Sequence, residues 1–310
     1  MYRAVIIGAG KIGAEFDTPS SDKILTHAHA FLEHEEMILA GFYDVDYAKA
    51  VHAAEIWGGQ AFREISEALC GADVVSCCVP DQFHGKVLKE IAAYKPKLVI
   101  TEKPVAVSAD QAEEIRQIYQ GKIPCMVNYS RRYIREFDDL RRRIRQYGRF
   151  LKGAGYYGKG ILHNGSHMID LMQYLLGNVE ILERTEGWIP DLEGDPSVDV
   201  TMQIAQGVFS MLAVDSRIVT VFELDLFFEK ARIRILEGGK KIAYYEIKES
   251  AVYQHYYNYN LVQTVSVSDS AAMQGLAENA VLFLKNGEEM KCTLEDGITV
   301  LQTCMQIQEM

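Results

Sequence analysis

Four stretches of the chain hold residue types whose spacing could support chemistry. Thr101-Glu102-Lys103-Pro104 follows the apolar run Leu98-Val99-Ile100, which reads as a buried strand. Proline lacks the N–H that a sheet ladder needs, so the strand stops near Pro104 and leaves Lys103 at its carboxyl end. Open α/β sheets bind ligands at that end. A lysine there can hold and polarise a substrate oxygen. It can also exchange a proton, provided burial or nearby positive charge lowers its pKa by several units from about 10.4. Taken alone, the plainer reading is a surface lysine in a strand-to-helix turn.

Gly8-Ala9-Gly10-Lys11-Ile12-Gly13 comes directly after the apolar run Arg3-Ala4-Val5-Ile6-Ile7. Glycines at this spacing permit a tight turn, close approach of a pyrophosphate and close helix-to-strand packing. Backbone amides at the helix start, those of Lys11 and Ile12 among them, would face the phosphates. The next strand, Ile38 to Tyr43, ends in Asp44. An acid at that position binds adenosine ribose hydroxyls and repels a 2′-phosphate, so NAD is expected over NADP. Asp46 competes for the same contact.

His163-Asn164-Gly165-Ser166-His167 places two imidazoles four residues apart. Asn164 and Gly165 disfavour a helix, and Ser166 can cap one that runs to Leu176 and stops at Gly177. His167 would then lie in a first turn, where the positive helix end keeps the ring neutral and able to accept a proton. Asp170 is within helical reach of it. A metal site is the competing reading. No HExxH glutamate is present and the Asn-Gly break separates the two faces, so no metal is expected.

The elements that must position these groups alternate between strand and helix patterns. Segments at 3–7, 38–43, 72–79, 97–100 and 123–129 read as strands with helices between them, which means a parallel, doubly wound sheet. The stretch from Phe16 to Lys23 has loop composition, and Thr26 is a plausible cap for a new helix carrying His27, Ala30, Phe31 and His34. The first helix is therefore expected to be cut short. From Val198 the chain reads as antiparallel strands with turns at Gln206-Gly207 and Gly238-Gly239. Phe222, Leu224, Leu226 and Phe228 alternate as an apolar stripe, through which a homodimer or homotetramer is expected. The aromatic cluster Tyr253 to Tyr259 could line a substrate pocket or pack the sheet, and packing is the expectation. Two domains follow: residues 1–122, dinucleotide-binding, and 123–310, an α+β unit for substrate binding and oligomerisation.

Composition narrows the partners. The chain has 310 residues and a formal charge of −11, which argues against broad electrostatic binding to nucleic acid or an anionic membrane. Six cysteines without a CxxC pair suggest reduced, cytoplasmic usage and no structural zinc. No apolar run approaches the length that spans a bilayer.

Gly8-x-Gly10-x-x-Gly13, then Val79-Pro80 with His84, then Glu102-Lys103-Pro104, resembles the Gfo/Idh/MocA oxidoreductases. Asn128-Tyr129-Ser130-Arg131-Arg132-Tyr133 resembles that family's entry into its second domain, and Gly165-Ser166-His167-Met168-Ile169-Asp170 its GxHxxD element. The resemblance implies an α/β protein: an N-terminal Rossmann domain and a C-terminal α+β domain with a large, open, mostly antiparallel sheet. It implies NAD(P)-dependent oxidation or reduction of a sugar-like alcohol or ketone. It assigns Lys103 and His167 to substrate binding and proton transfer, and Pro80, His84 and Glu102 to the cofactor side. One position departs from the pattern. The family usually has an aspartate four residues before its histidine, where this chain has His163. A carboxylate would hold Lys103 charged; a neutral imidazole would not. This variant resembles members linked to surface-sugar and nucleotide-sugar pathways.

Arg132, just beyond a strand end, is the arginine of the 131–149 segment expected to turn inward; the others read as a solvated face. With Tyr157 of the glycine-rich run 153–160 and Asn164, it joins Lys103, His163 and His167 as a candidate substrate contact. Three functions fit these residues: an NAD-dependent oxidoreductase acting on a sugar or nucleotide sugar, an NAD-dependent glycosidase working by oxidation and elimination, or a non-catalytic NAD or sugar sensor. Fold alone does not separate them.

Overall fold

The computed structural model describes the backbone of residues 1–310 and all side chains except those of residues 186–188, 190 and 191. The chain forms two compact units. One holds residues 1–134 and 269–301, the other residues 135–268 and 302–310.

The first unit alternates β1 (Tyr2–Ile7), α1 (His27–Glu33), β2 (Met37–Tyr43), α2 (Tyr47–Trp57), β3 (Gln60–Phe62), α3 (Ile65–Leu69), β4 (Val74–Cys77), α4 (His84–Ala93), β5 (Leu98–Thr101), α5 (Ala109–Tyr119) and β6 (Cys125–Val127). The strands lie in the order β3-β2-β1-β4-β5-β6 and pair in parallel throughout. Their runs are apolar because both faces are covered: Ala4 to Ile7, Val74, Val75 and Leu98 to Ile100 are fully buried. The order reverses between β1 and β4, which opens a crevice at their carboxyl ends.

The helix after β1 is reduced to a single π-helical turn, Lys11–Glu15, as the loop composition of the following segment predicts. Asp17 anchors that loop. Its buried carboxylate accepts from the Leu25 amide at 2.6 Å and the Thr26 hydroxyl at 2.6 Å, and bonds His29 Nδ1 at 2.8 Å. Thr26 caps α1 by accepting from the His29 amide.

The second unit begins with α6 (Arg135–Ile144), β7 (Phe150–Tyr157) and α7 (Ser166–Leu176). The strands β8 (Val179–Leu192), β9 (Asp195–Ile204), β10 (Gly207–Ala213), β11 (Phe222–Phe228), β12 (Ala231–Leu236), β13 (Lys241–Glu249) and β14 (Tyr257–Ser266) follow. Their sheet runs β14-β13-β12-β11-β7-β10-β9-β8 and is antiparallel except where β10 meets β7. The turn expected at Gln206-Gly207 lies one residue earlier: Ala205, at a positive φ of 51°, and Gln206 join β9 to β10. The long strand β8 escapes an alternation test because Glu180, Glu183 and Arg184 interrupt its apolar pattern. The chain then returns to the first unit through α8 (Ala271–Asn286) and the first half of α9 (Leu294–Glu309).

Three expectations differ from this architecture. The compact units do not divide at residue 122. Segment 123–129 supplies β6, paired in parallel with β5, and residues 269–301 pack back beside it, with the Val127 amide donating to the Cys292 carbonyl at 3.1 Å. The stripe Phe222, Leu224, Leu226 and Phe228 is core, each residue at most 4% exposed, so it is not an outward-facing surface. The residues that do face outward alternate with it, including Glu223, Asp225 and the half-buried Phe227. Of the cluster from Tyr253 to Tyr259, Tyr259 packs on the sheet against Phe227, whereas Tyr253, Tyr256 and Tyr257 are exposed. Among the described residues, no helix is long and apolar enough to cross a membrane.

Replacing Asp17 with alanine leaves a buried hydroxyl, an amide and an imidazole without their shared acceptor. Urea unfolding should show a loss of about 2–4 kcal/mol for Asp17→Ala, against about zero for the exposed neighbour Asp22→Ala.

Candidate functional site

The glycine-rich turn separates its three glycines by role. Gly8 has φ +100°, and a Cβ there would stand 2.7 Å from the Cys78 carbonyl carbon. A Cβ on Gly13 would meet the Gly8 carbonyl oxygen at 2.2 Å. Both are required by the packing of the turn against the end of β4. Gly10 is different: its Cβ would meet nothing within 4 Å. Space over an unsubstituted backbone is what a pyrophosphate needs. The amides of Lys11, Ile12 and Gly13 open the helical turn, ahead of the first intrahelical donors, Ala14 and Glu15, which bond the Gly10 carbonyl. Lys11 is exposed and Ile12 half-buried.

Asp44 stands beside this turn. Its carboxylate accepts from the Ala9 amide at 2.8 Å and from the Asp46 amide at 2.9 Å. Asp46 instead caps α2 by accepting from the Ala48 amide, so the two acids divide into a turn-side group and a helix cap. An open backbone cradle, an amide-bearing turn and an adjacent carboxylate fit a dinucleotide.

Lys103 is half-buried, two residues past the end of β5. Its neighbour Glu102 is the centre of a hydrogen-bonded group. Glu102 Oε1 bonds His27 Nε2 at 2.9 Å and accepts from Asn128 Nδ2 at 2.7 Å. The other ring nitrogen of His27, Nδ1, lies 2.8 Å from Ser76 Oγ. Nε2–H donating to the carboxylate, with the Ser76 hydroxyl donating to Nδ1, satisfies the whole chain. Burial pushes the Glu102 carboxyl up. His27 and Asn128 as donors, with the nearby Lys103 charge, outweigh it and hold the carboxyl below its ordinary value. With Nδ2 committed to Glu102, Asn128 Oδ1 is a buried acceptor with no partner among the described residues.

His84 is fully buried. Its Nδ1 lies 2.7 Å from the Pro104 carbonyl and its Nε2 2.9 Å from the Val79 carbonyl. It clamps the loop after β4 to the loop after β5, a positioning role. Pro80 is exposed between β4 and α4. Arg132 turns inward as expected and is 5% exposed. Its guanidinium is engaged by Asp296 at 2.9 Å and by the Lys291 carbonyl at 3.2 Å. That ties the end of the 130–133 turn to the start of α9, a structural task where a substrate contact is expected.

In the second unit, residues 160–165 form a π-helical turn that runs straight into α7. The Asn-Gly pair therefore does not break the helix before Ser166, and His167 lies one turn inside rather than at a free amino end. The cause is a tertiary cap. Asp195, at the start of β9, accepts from the amides of Leu162 and His163, each at 2.9 Å, and Ser197 Oγ accepts from the Gly160 amide. Burial pushes the Asp195 carboxyl up against the pull of those amides. The turn leaves the His163 side chain exposed and His167 half-buried. Asn164 Nδ2 donates to the Gly158 carbonyl. Tyr157 is wholly buried, its hydroxyl donating to the Val198 carbonyl and accepting the Val198 amide; it is a core residue, not a ligand contact.

Sequence reasoning missed Asp195, which lies 32 residues from the loop it caps, and the pairing of His27 with Glu102 across 75 residues. The position of His27 in the first turn after Thr26 was the only local signal. Among the described residues, no group of His, Cys, Asp and Glu could hold a metal ion.

Over residues 2–129 the chain matches the oxidoreductase family Gfo/Idh/MocA in its NAD-binding Rossmann fold. No curated protein matches the chain. Several solved structures do. UDP-N-acetylglucosamine 3-dehydrogenase GnnA from Acidithiobacillus ferrooxidans is similar at 16% identity and a TM-score of 0.79, over 99% of this chain and 97% of that one. An oxidoreductase from Agrobacterium radiobacter, in complex with NAD+, L-tartaric acid and magnesium, is similar at 15% identity and a TM-score of 0.76, over 99% and 95%. KijD10, a 3-ketoreductase from Actinomadura kijaniata in complex with NADP, is similar at 12% identity and a TM-score of 0.76, over 99% and 97%. At these identities the likeness is one of fold.

Two measurements follow from the geometry. Gly10→Ala should fold with a stability within about 0.5 kcal/mol of wild type yet lose NADH binding in a fluorescence titration, because its methyl fills the open cradle. Gly13→Ala should lose about 1–3 kcal/mol of stability as well, from overpacking against the Gly8 carbonyl. The second concerns pH. A carboxyl held below its ordinary 4.5 contributes stability above that pH and loses it as pH falls through the lower folded-state value. Urea midpoints of wild type and Glu102→Gln should therefore differ most near neutrality and converge as the pH is lowered into the acid range below 4.5.

Proposed function

We propose that this chain, which carries the NAD-binding Rossmann fold of the Gfo/Idh/MocA oxidoreductases over residues 2–129, is an NAD-dependent oxidoreductase acting on a CH–OH or ketone carbon of a sugar or nucleotide sugar. The observation that carries the reading is the placement of Lys103. It follows β5 at the carboxyl edge of the sheet whose first strand feeds the open turn at Gly10, and its neighbour Glu102 is anchored on two sides. A UDP-sugar dehydrogenase with the same fold along nearly the whole of both chains supports the nucleotide-sugar class.

Gly8, Gly10, Lys11, Ile12 and Gly13 would cradle the pyrophosphate, and Asp44 would accept from the adenosine ribose hydroxyls. Its negative charge beside the turn disfavours a 2′-phosphate, so NAD is preferred to NADP. A bound nicotinamide supplies hydride transfer. Lys103 holds the reacting oxygen and polarises it, giving a proton in reduction or taking one in oxidation. Glu102, fixed by His27 and Asn128, orients the lysine-bearing loop. His167 is the second candidate for the proton, and the exposed His163, with Asn164, a candidate substrate contact.

The test is an initial-rate assay with NAD(H) and NADP(H) against a panel of sugars and nucleotide sugars. Turnover with NAD(H), at least about 10-fold better than with NADP(H), is expected, and Lys103→Met should lower kcat by about 10²–10⁴ while NADH binding is kept. His167→Asn with its own pH profile separates the two proton carriers, since the true one takes a limb of the profile with it. Turnover unchanged by Lys103→Met overturns the lysine's role. Cofactor binding without turnover on any substrate of the panel supports a sensor instead, and turnover without net NADH a glycosidase.

A further inference from the structure

The outer side of the glycine-rich turn carries a cation that no acid of the fold neutralises. β2 and β3 pair in parallel, and their last registered pair is Tyr43 with Phe62. The next residue of each strand is Asp44 after β2 and Arg63 after β3. A carboxylate and a guanidinium thus leave neighbouring strand ends, whose backbones lie about 4.8 Å apart, yet they do not pair. Asp44 accepts from the Ala9 and Asp46 amides, Asp46 from the Ala48 amide, and Glu67 from the amides of Arg63 and Glu64 at 3.3 and 3.4 Å. These acids are engaged by backbone. Among the described residues, the Arg63 guanidinium has neither an ion pair nor a hydrogen bond. Its Cζ lies instead 4.0 Å from the ring centroid of Tyr47, in the first turn of α2. Stacking occupies the face of a guanidinium and leaves its N–H edge open, and that edge is the one that matches a phosphate.

We propose that Arg63 is a second cofactor-discriminating residue, which receives the 2′-phosphate of NADP and lets the site take that cofactor beside the preferred NAD. The inference rests on the reading of the Gly10 turn as a dinucleotide cradle. In that reading Asp44 takes the adenosine ribose at the end of β2, and the end of β3 is the next position outward in the sheet. Two opposed charges then act on the ribose 2′ position. Asp44 accepts from a hydroxyl there and repels a phosphate. Arg63 attracts the phosphate and gains little from an uncharged hydroxyl. Two amides hold the acid, and the Tyr47 ring on the guanidinium with Glu67 on the backbone amide holds the arginine. Neither gives way to the other, so the site ranks the two cofactors instead of excluding one. An arginine already held in place also loses less side-chain freedom when a phosphate binds.

The experiment titrates NADH and NADPH by nicotinamide fluorescence against wild type, Arg63→Met and Arg63→Lys, with no sugar present. The wild type should bind both cofactors, NADH more tightly. Arg63→Met should weaken NADPH about 10-fold or more, the size of a lost hydrogen bond to a charged group, and leave NADH within about two-fold. Unchanged NADH binding also shows that the variant is folded. Arg63→Lys should recover part of the loss, because it keeps the charge and not the planar fork. Adenosine 2′,5′-bisphosphate, which carries the same phosphate without the nicotinamide, should displace NADH less well from Arg63→Met than from wild type. NADPH affinity unchanged by Arg63→Met, equal losses for both cofactors, or a wild type that binds NADH and not NADPH would each overturn the proposal and leave the dinucleotide reading in place. A wild type that binds neither cofactor overturns that reading and this proposal with it.

Discussion

A carboxylate removed from water must be surrounded by donors or give up its charge, and the first unit is arranged around one such group. Glu102 draws one donor from α1, His27, and one from just past β6, Asn128. These elements are far apart in the chain and meet only because β1, β4, β5 and β6 are neighbours in one parallel sheet. Leaving such a buried charge without a partner costs about 3–5 kcal/mol, so the three elements are held to one geometry. The loop that carries Lys103 inherits that geometry. His84 adds a second hold on the same loop through the Pro104 carbonyl.

The same logic explains the shortened first helix. A long helix after Gly13 would leave no chain free to bring α1 and His27 to Glu102. The loop at residues 16–26 makes that connection, and Asp17 gives the loop a buried polar centre of its own. The Trp57 indole donates to the Ala14 carbonyl at 2.9 Å and so ties the end of the short turn to α2. The dinucleotide turn is thus braced from both sides while Gly10 is left open.

The second unit uses a comparable device for a different end. Asp195 and Ser197 supply acceptors to the amides of a turn whose own sequence, Asn-Gly, disfavours helix. Local propensity yields to a tertiary cap. The result is a continuous helical run from Gly160 to Leu176, with His163 on its outer side and His167 further in. The sheet beneath it buries alternate residues of β11 and β12 and turns the intervening charges outward, where Asp225 pairs with Arg232 and Arg234.

Much of this was legible in the residues. Glycine spacing after a strand, an acid at the end of the next strand and proline after an apolar run are local signals, because each follows from what a backbone can do. They determined the Rossmann order, the open turn and the position of Lys103. Apolar alternation likewise marked β11 and β12, but periodicity only says that one face differs from the other. It does not say which face is covered by the protein's own helices, so the stripe at Phe222 to Phe228 read as a surface and is the core. Exposure of the Tyr253–Tyr259 cluster, the inward ion pair of Arg132 with Asp296 and the buried Tyr157 hydroxyl all depend on partners far away in the chain. Sequence determines what each residue can offer, a donor, an acceptor or an apolar surface. Which offers are taken up was decided only when the strands took their places in the sheets, because hydrogen bonds and burial act over a few ångströms of space and are blind to separation along the chain.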